Sequence, residues 1–256
     1  MNPPLAPARL ALACLDLTSL NDTDDEAAID RLCAAALGPT RRGWPAAVCV
    51  WPRFVARARA ALPAAIRVAA VANFPAGALD VDAALRDAAA ILDADGDEID
   101  LVLPWRALLA GDTKGAASLV RAVRAICPGR TLKLIIEAGE LGSGAALDAA
   151  CAIGLVEGVD FLKTSTGKMP GGATPAAARR MLQAIAAHAR GRRVGFKASG
   201  GVRRVGDAAV YIDLVREILG AEALSPRRLR LGASALLADI EATLAGEVAP
   251  RATAAY

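Results

Sequence analysis

Residues 160–168 read DFLKTSTGK, and the largely apolar run 158–162 that leads into them ends at Lys163. A polar turn of Thr, Ser and Gly follows and closes with Lys168. This is the outline of a buried strand that ends in an amine and opens into a loop able to hold an anion. Residues 194–203, VGFKASGGVR, repeat the layout: an apolar strand ends at Lys197 and a Gly-Gly loop follows. Two lysines at the ends of two strands are the feature around which the chain is organised.

The cation usage sharpens the point. Of 30 Lys and Arg residues only five are lysines, namely Lys114, Lys133, Lys163, Lys168 and Lys197, and three of these fall in the two motifs. Arg stays protonated, whereas Lys becomes a nucleophile and forms a Schiff base once its pKa is lowered. The plainer alternative is that these lysines are ordinary strand-end cations.

Working outward, apolar strands and helical patterns alternate about eight times. Strands are expected near 46–51, 66–72, 98–104, 132–137, 158–163, 194–197 and 228–232, with Asp16 ending an earlier apolar run. Helices are expected over 24–37, with Thr23 or Asp24 as N-cap, and over 53–62, 80–93, 114–126, 147–155, 175–189, 206–219 and 234–244. Residues 9–15 read as a short helix or an extended lead-in. The strands are apolar throughout rather than alternating, as in a parallel sheet buried on both faces. Eight such units in a chain of 256 residues predict an α/β fold of one domain over 1–256, a single (β/α)8 barrel. It would carry a short N-terminal lead-in and a flexible C-terminal tail over about 246–256. In such a barrel chemistry gathers at the C-terminal strand ends, so Asp16, Asp100, Lys163 and Lys197 can converge on one pocket.

Composition narrows the function classes. The net charge is +3 and aromatic residues make up 4%, with no basic run interleaved with aromatics, which argues against nucleic-acid binding. Five cysteines are widely spaced without a CxxC pair, so a disulfide framework or thiolate zinc site is not expected and a reducing cytoplasm fits best. There is no secretory leader pattern and no run of apolar residues long enough to span a membrane. The one histidine, His188, sits where a helical pattern runs into a Gly stop and reads as a helix-end cation. Acid–base work therefore falls to carboxylates, lysines, a tyrosine or water.

A free lysine has a pKa of about 10.4, so roughly one in a few thousand is neutral at pH 7. Burial or a neighbouring cation such as Lys197 lowers the pKa of Lys163 and frees its amine to attack an aldehyde carbonyl. The resulting iminium draws electrons from the adjacent C–C bond, a step that needs no metal. Asp100 either pairs with Lys197 and relays protons or serves only in a structural ion pair. The loop Gly200-Gly201-Val202-Arg203 and the turn Gly232-Ala233-Ser234, which opens a helix, are candidates for binding phosphate. Lys168 adds charge nearby. Cys49, at the end of the second strand, reads as a buried inert thiol or as a group open to reactive enals.

The stretches LDLTSLND, DEIDLVLPWRALLAGD, LKLIIEAGEL, GVDFLKTSTGK, VGFKASGGVR and RLGAS resemble, in order and over nearly the whole chain, those of deoxyribose-phosphate aldolases. The resemblance implies a class I lyase on a (β/α)8 barrel that reversibly cleaves 2-deoxy-D-ribose 5-phosphate, without metal or cofactor, in deoxyribonucleoside catabolism. It implies Lys163 as the Schiff-base lysine, Lys197 as the lysine that lowers its pKa, and Asp100 in the proton relay. It implies Asp16 and Thr18 near the substrate, and Lys168, Gly200, Gly201, Val202, Arg203, Gly232 and Ser234 at the phosphate end. Tyr256, at the end of the tail RATAAY, matches a terminal tyrosine that assists proton transfer. A homodimer is the implied assembly. Ala235 stands where the family carries a second Ser, MPGGAT follows Lys168, and Ala198-Ser199 replaces Pro-Ala. The competing readings are a non-catalytic barrel that binds a sugar phosphate and a pyridoxal-phosphate barrel.

Overall fold

Eight short strands close on themselves in the computed structural model, which describes residues 5–38, 42–142, 144–188 and 194–247. They are β1 (Leu15–Thr18), β2 (Ala47–Val50), β3 (Arg67–Ala72), β4 (Glu98–Val102), β5 (Thr131–Ile135), β6 (Phe161–Lys163), β7 (Gly195–Ser199) and β8 (Leu229–Ala233). Each pairs in parallel with the next, and β8 pairs with β1. The expected (β/α)8 barrel is therefore the observed fold.

The lead-in is helical: α1 (Leu5–Ala13) packs against helices near the other end of the chain, α10 (Val205–Leu219) and α11 (Leu236–Ala245). The main crossovers are α2 (Glu26–Leu37), α3 (Val55–Ala61), α4 (Val81–Asp93), α6 (Thr113–Ile126), α8 (Ala145–Val156) and α9 (Pro175–Ala187). Two short helices, α5 (Trp105–Leu109) and α7 (Ala138–Leu141), lie where no helix was expected. The helix expected over 53–62 begins instead with a 3-10 turn at Pro52–Phe54. None of the described helices is long and apolar enough to cross a membrane.

Helix starts follow side-chain capping. Asp25, Asp80, Asp112 and Thr174 each accept from the backbone N–H three residues on, a contact worth about 1 kcal/mol. The expected cap on α2 was Thr23 or Asp24, but Asp24 is engaged elsewhere. Its Oδ2 accepts from Ser19 Oγ at 2.8 Å and Asn21 N at 3.0 Å, which closes the β1–α2 loop and leaves Asp25 to cap.

Outward-facing strand residues such as Leu134, Leu162, Phe196 and Leu231 form one apolar core with the helices. Close approach there depends on Gly154 of α8, where a Cβ would lie 2.7 Å from Leu162 Cδ2 and 3.0 Å from Leu134 Cδ2. The inward face corrects the expectation of uniformly apolar strands. It carries Asp16, Glu98, Asp100, Lys133, Lys163, Lys197 and Arg230, all buried. Both faces of a barrel strand are buried, so these charges are tolerated because they pair with one another.

Candidate active site

Strand register places the two lysines. Lys163 lies opposite Lys197 in the β6–β7 ladder, and both are buried, 2% and 0% exposed. Asp100 lies opposite Lys133 between β4 and β5, and Lys197 opposite Arg230 between β7 and β8. Because all strands are parallel and closed, these side chains meet on the barrel axis.

Asp100 is the hub. Its Oδ2 accepts from Lys163 Nζ at 2.8 Å and from Lys197 Nζ at 2.7 Å, while its Oδ1 accepts from Lys133 Nζ at 2.7 Å. Asp16 Oδ2 accepts from Lys197 Nζ at 2.5 Å and Asp16 Oδ1 from Arg230 at 2.6 Å. Glu98 completes the lattice with Lys133 at 2.6 Å and Arg230 at 2.6 Å.

The electrostatics separate the two lysines. Burial drives the Lys163 amine below the ordinary lysine range; Asp100 opposes this and the Lys197 charge adds to it. Lys197 is buried as deeply, but Asp100 and Asp16 together outweigh burial and push its pKa up, so it stays an ammonium. Burial would raise Asp100, yet Lys133, Lys163 and Lys197 hold its carboxyl well below the usual range. The site therefore presents one amine disposed to be neutral, one fixed cation and one fixed carboxylate.

The polar turn after Lys163 is fastened to β7. Thr164 N donates to Lys197 O at 3.0 Å, and Ser199 N donates to Thr164 Oγ1 at 2.9 Å. Thr164 Oγ1 and Ser165 Oγ donate to Ser199 O at 3.1 and 2.5 Å. The Thr and Ser hydroxyls of the motif thus hold the loop in place. Further along, Ala173 N donates to Ser199 O and Gly200 O, and a Cβ at Gly172 would lie 2.6 Å from Gly200 O. Only glycine at 172 allows that approach.

Beside this loop is a cavity of about 180 Å³ lined by Gly167, Met169, Gly172, the run 200–203, Gly232 and Ala233. It unites the two expected phosphate stretches. Gly200 and Gly201 adopt φ of 84° and 85°, the left-handed region that glycine permits. Ser234 Oγ, next to Ala233, is buried without a hydrogen-bond partner. Lys168 lies between two lining residues, with its amine 3.8 Å from Asp22. A larger open cleft of about 510 Å³, lined by Arg124, Arg130 and Asp160 among others, lies at the opposite, N-terminal ends of β5 and β6. It holds none of the lysines, and Arg124 is already bound to Asp160, Cys127 and Arg130.

The chain matches the model of the DeoC/LacD family aldolases over residues 10–242. It belongs to that family. This aldolase is 43% identical over 256 residues to the deoxyribose-phosphate aldolase of Agrobacterium fabrum, covering 99% of this chain and 97% of the relative. Its fold matches a Coccidioides immitis protein assigned as a deoxyribose-phosphate aldolase, with a TM-score of 0.78 and 29% identity over 93% of this chain and 87% of the other. It also matches the deoxyribose phosphate aldolase of Aeropyrum pernix in fold, with a TM-score of 0.73 and 22% identity over 92% and 91% of the two chains.

Of the residues expected from the sequence, Asp16, Asp100, Lys163 and Lys197 meet directly. Thr18 is buried and donates to Asp16 O at 2.9 Å. Tyr256 lies outside the described residues, as does the tail from 248 onward; Gly246 and Glu247 close α11. Lys133, Glu98 and Arg230 were not anticipated. Glu137 was also missed. It is buried in the left-handed region, φ 55°, and its carboxylate accepts from Thr166 N at 3.3 Å. Burial pushes its pKa up, against the bonds from Thr166.

Proposed function

We propose that this aldolase reversibly cleaves 2-deoxy-D-ribose 5-phosphate to acetaldehyde and D-glyceraldehyde 3-phosphate through a Schiff base on Lys163. The observation that carries this reading is the buried Lys163 amine, disposed to be neutral and set beside the Lys197 ammonium on one oxygen of Asp100. The 43% identical relative bears the corresponding name.

In this reading Lys163 Nζ attacks C1 of the open-chain sugar, and loss of water gives the iminium. The C3 hydroxyl loses its proton as the C2–C3 bond breaks, and the bond's electrons pass to the iminium nitrogen. D-Glyceraldehyde 3-phosphate leaves, the enamine is protonated at C2, and hydrolysis frees acetaldehyde and the amine. Lys197, protonated, and Asp100, ionised, are the pair that gives and takes these protons. Asp16 and Thr18 hold that pair from β1, since Asp16 binds Lys197 and Thr18 binds the Asp16 carbonyl.

The phosphate goes to the glycine-lined cavity, where 200–203, Gly232 and the unpartnered Ser234 hydroxyl supply donors and Lys168 supplies charge from the rim. Tyr256 assists proton transfer at the acetaldehyde methyl carbon. The whole chain, 1–256, acts as one domain and assembles as a homodimer; the Aeropyrum pernix relative is described as tetrameric, so subunit association has a family precedent. A reducing cytoplasm suits the five free, buried cysteines.

Borohydride trapping with deoxyribose 5-phosphate, followed by peptide mass spectrometry, tests the reading. A reduced adduct on Lys163 supports it. Binding of the sugar phosphate without any adduct would overturn it in favour of a binding barrel.

A further inference from the structure

The interior charges can be counted. On the barrel axis the carboxylates are Asp16 and Glu98 with Asp100, and the cations are Lys133, Lys163, Lys197 and Arg230. With every group ionised, four positive charges face three negative ones among buried side chains. An excess buried charge is expensive, and the group that can shed it most readily loses its proton. Arg230 cannot deprotonate. Lys197 is held by two carboxylates, Asp16 and Asp100. Lys133 is held by Glu98 at 2.6 Å and Asp100 at 2.7 Å, with Asp16 at 3.7 Å. Lys163 touches one carboxylate oxygen, which it shares with Lys197. It is the least compensated of the four.

Two other titratable groups lie near Lys163 without pairing with any of the four cations. Cys49 on β2 points its thiol at Asp100 Oδ2 from 3.9 Å, and burial keeps that thiol protonated. Glu137, after β5, is turned to Thr166 N and, among the described residues, makes no ion pair with the four cations; Lys163 acts on it through space, but burial outweighs this and raises its pKa, which weakens it as a counter-charge.

We propose that Lys133, though fully buried, is a positioning residue of the reaction: its fixed charge satisfies Glu98 and Asp100, leaving Lys163 as the surplus cation that sheds its proton. Lys197 alone does not create the surplus, because without Lys133 three carboxylates would face Lys197, Arg230 and Lys163, and Lys163 would be retained as an ammonium. The proposal rests on Lys163 being the nucleophile.

The test compares Lys133→Met, Glu98→Gln and the double variant. Two readouts are taken: the acid limb of the kcat/KM profile, and the pH dependence of Lys163 acylation by acetic anhydride, read by peptide mass spectrometry. Lys133→Met should move both midpoints up by about one pH unit or more. Glu98→Gln removes a negative charge and should move them down, and the double variant should return them to the wild-type position. A purely structural role lowers the rate without moving either midpoint; unmoved midpoints in Glu98→Gln, or a double variant whose midpoints do not return to the wild-type position, overturn the proposal even if Lys133→Met alone fails to fold. Acylation needs no substrate, so it separates this result from the function itself. Failure of borohydride trapping in the wild type sinks the aldol reading, whereas unmoved midpoints with trapping intact sink only the charge-balance account.

Discussion

Lys163 and Lys197 lie opposite each other in the β6–β7 ladder and reach the same atom, Asp100 Oδ2, at 2.8 and 2.7 Å. Two amines on one carboxylate oxygen cannot be equivalent. Asp16 also binds Lys197, which fixes the charge there, while burial lowers the pKa of Lys163. In the proposed mechanism one residue type thus supplies both the nucleophile and the cation beside it.

Lys163→Arg should remove activity by about a thousandfold or more, because a guanidinium forms no imine. Its guanidinium cannot shed the surplus buried charge, so melting should fall, while circular dichroism should keep the signature of the barrel. Turnover retained at a tenth of the wild-type rate would contradict Lys163 as the nucleophile.

Lys197→Leu removes the neighbouring charge, so the pKa of Lys163 should rise. The sign is fixed by which form reacts. In the proposed mechanism the neutral amine is the nucleophile, so residual activity should appear at higher pH, with its acid limb moved up by about one unit or more. The variant also leaves Asp16 and Asp100 short of a partner, which should lower thermal stability, by about 3–5 kcal/mol at most for a broken buried pair. A profile that keeps its midpoint while the rate falls would show that Lys197 acts only by structure.

The motifs around Lys163 and Lys197 were legible because a rare residue type recurs at two strand ends before glycine-rich loops. Asp100 was legible because an acid within a strand demands a partner. Lys133, Glu98 and Arg230 were missed because each sits in a short, mostly apolar run that reads as an ordinary strand. Their signal was the period of two: Glu98 and Asp100 share one face of β4, while Leu229 and Leu231 flank Arg230 on the other face of β8. Once the barrel buries both faces, any strand charge must find its partner inside. The pairing across β1, β4, β5, β7 and β8 depends on closure of the sheet, which no local pattern encodes. The short helices α5 and α7 were missed for a related reason, since each has only about one turn and too little periodicity to register.

Gly232→Ala tests how the phosphate turn and the amines are packed together. A Cβ there would lie 2.8 Å from Ser199 Oγ and 3.0 Å from Lys197 Cε, so the Ser199 hydroxyl must move and Lys197 must give slightly. Overpacking of this kind costs about 1–3 kcal/mol. The expected outcome is a lower kcat with phosphorylated and non-phosphorylated aldehydes alike, because the added methyl crowds Lys197. A defect confined to phosphorylated substrates would place the role of Gly232 in the anion cavity alone.

Ser234→Ala separates the phosphate end from the aldol chemistry. The Ser234 hydroxyl is buried and unpartnered, so its loss leaves no protein hydrogen bond unmade and should not lower stability. A bound phosphate that accepts from it would lose one charge-assisted bond, worth about 1.5–3 kcal/mol, or roughly ten- to a hundredfold in affinity. Since Ala235 already lacks a hydroxyl at the next position, Ser234 is the side-chain hydroxyl that this turn offers. KM for deoxyribose 5-phosphate should therefore rise by about that factor while kcat and the KM for unphosphorylated deoxyribose hold steady. Equal losses with both sugars would mean that the hydroxyl serves the reacting carbons rather than the phosphate. No change with either would leave the backbone amides of the 200–203 loop and the start of α11 as the anion's donors.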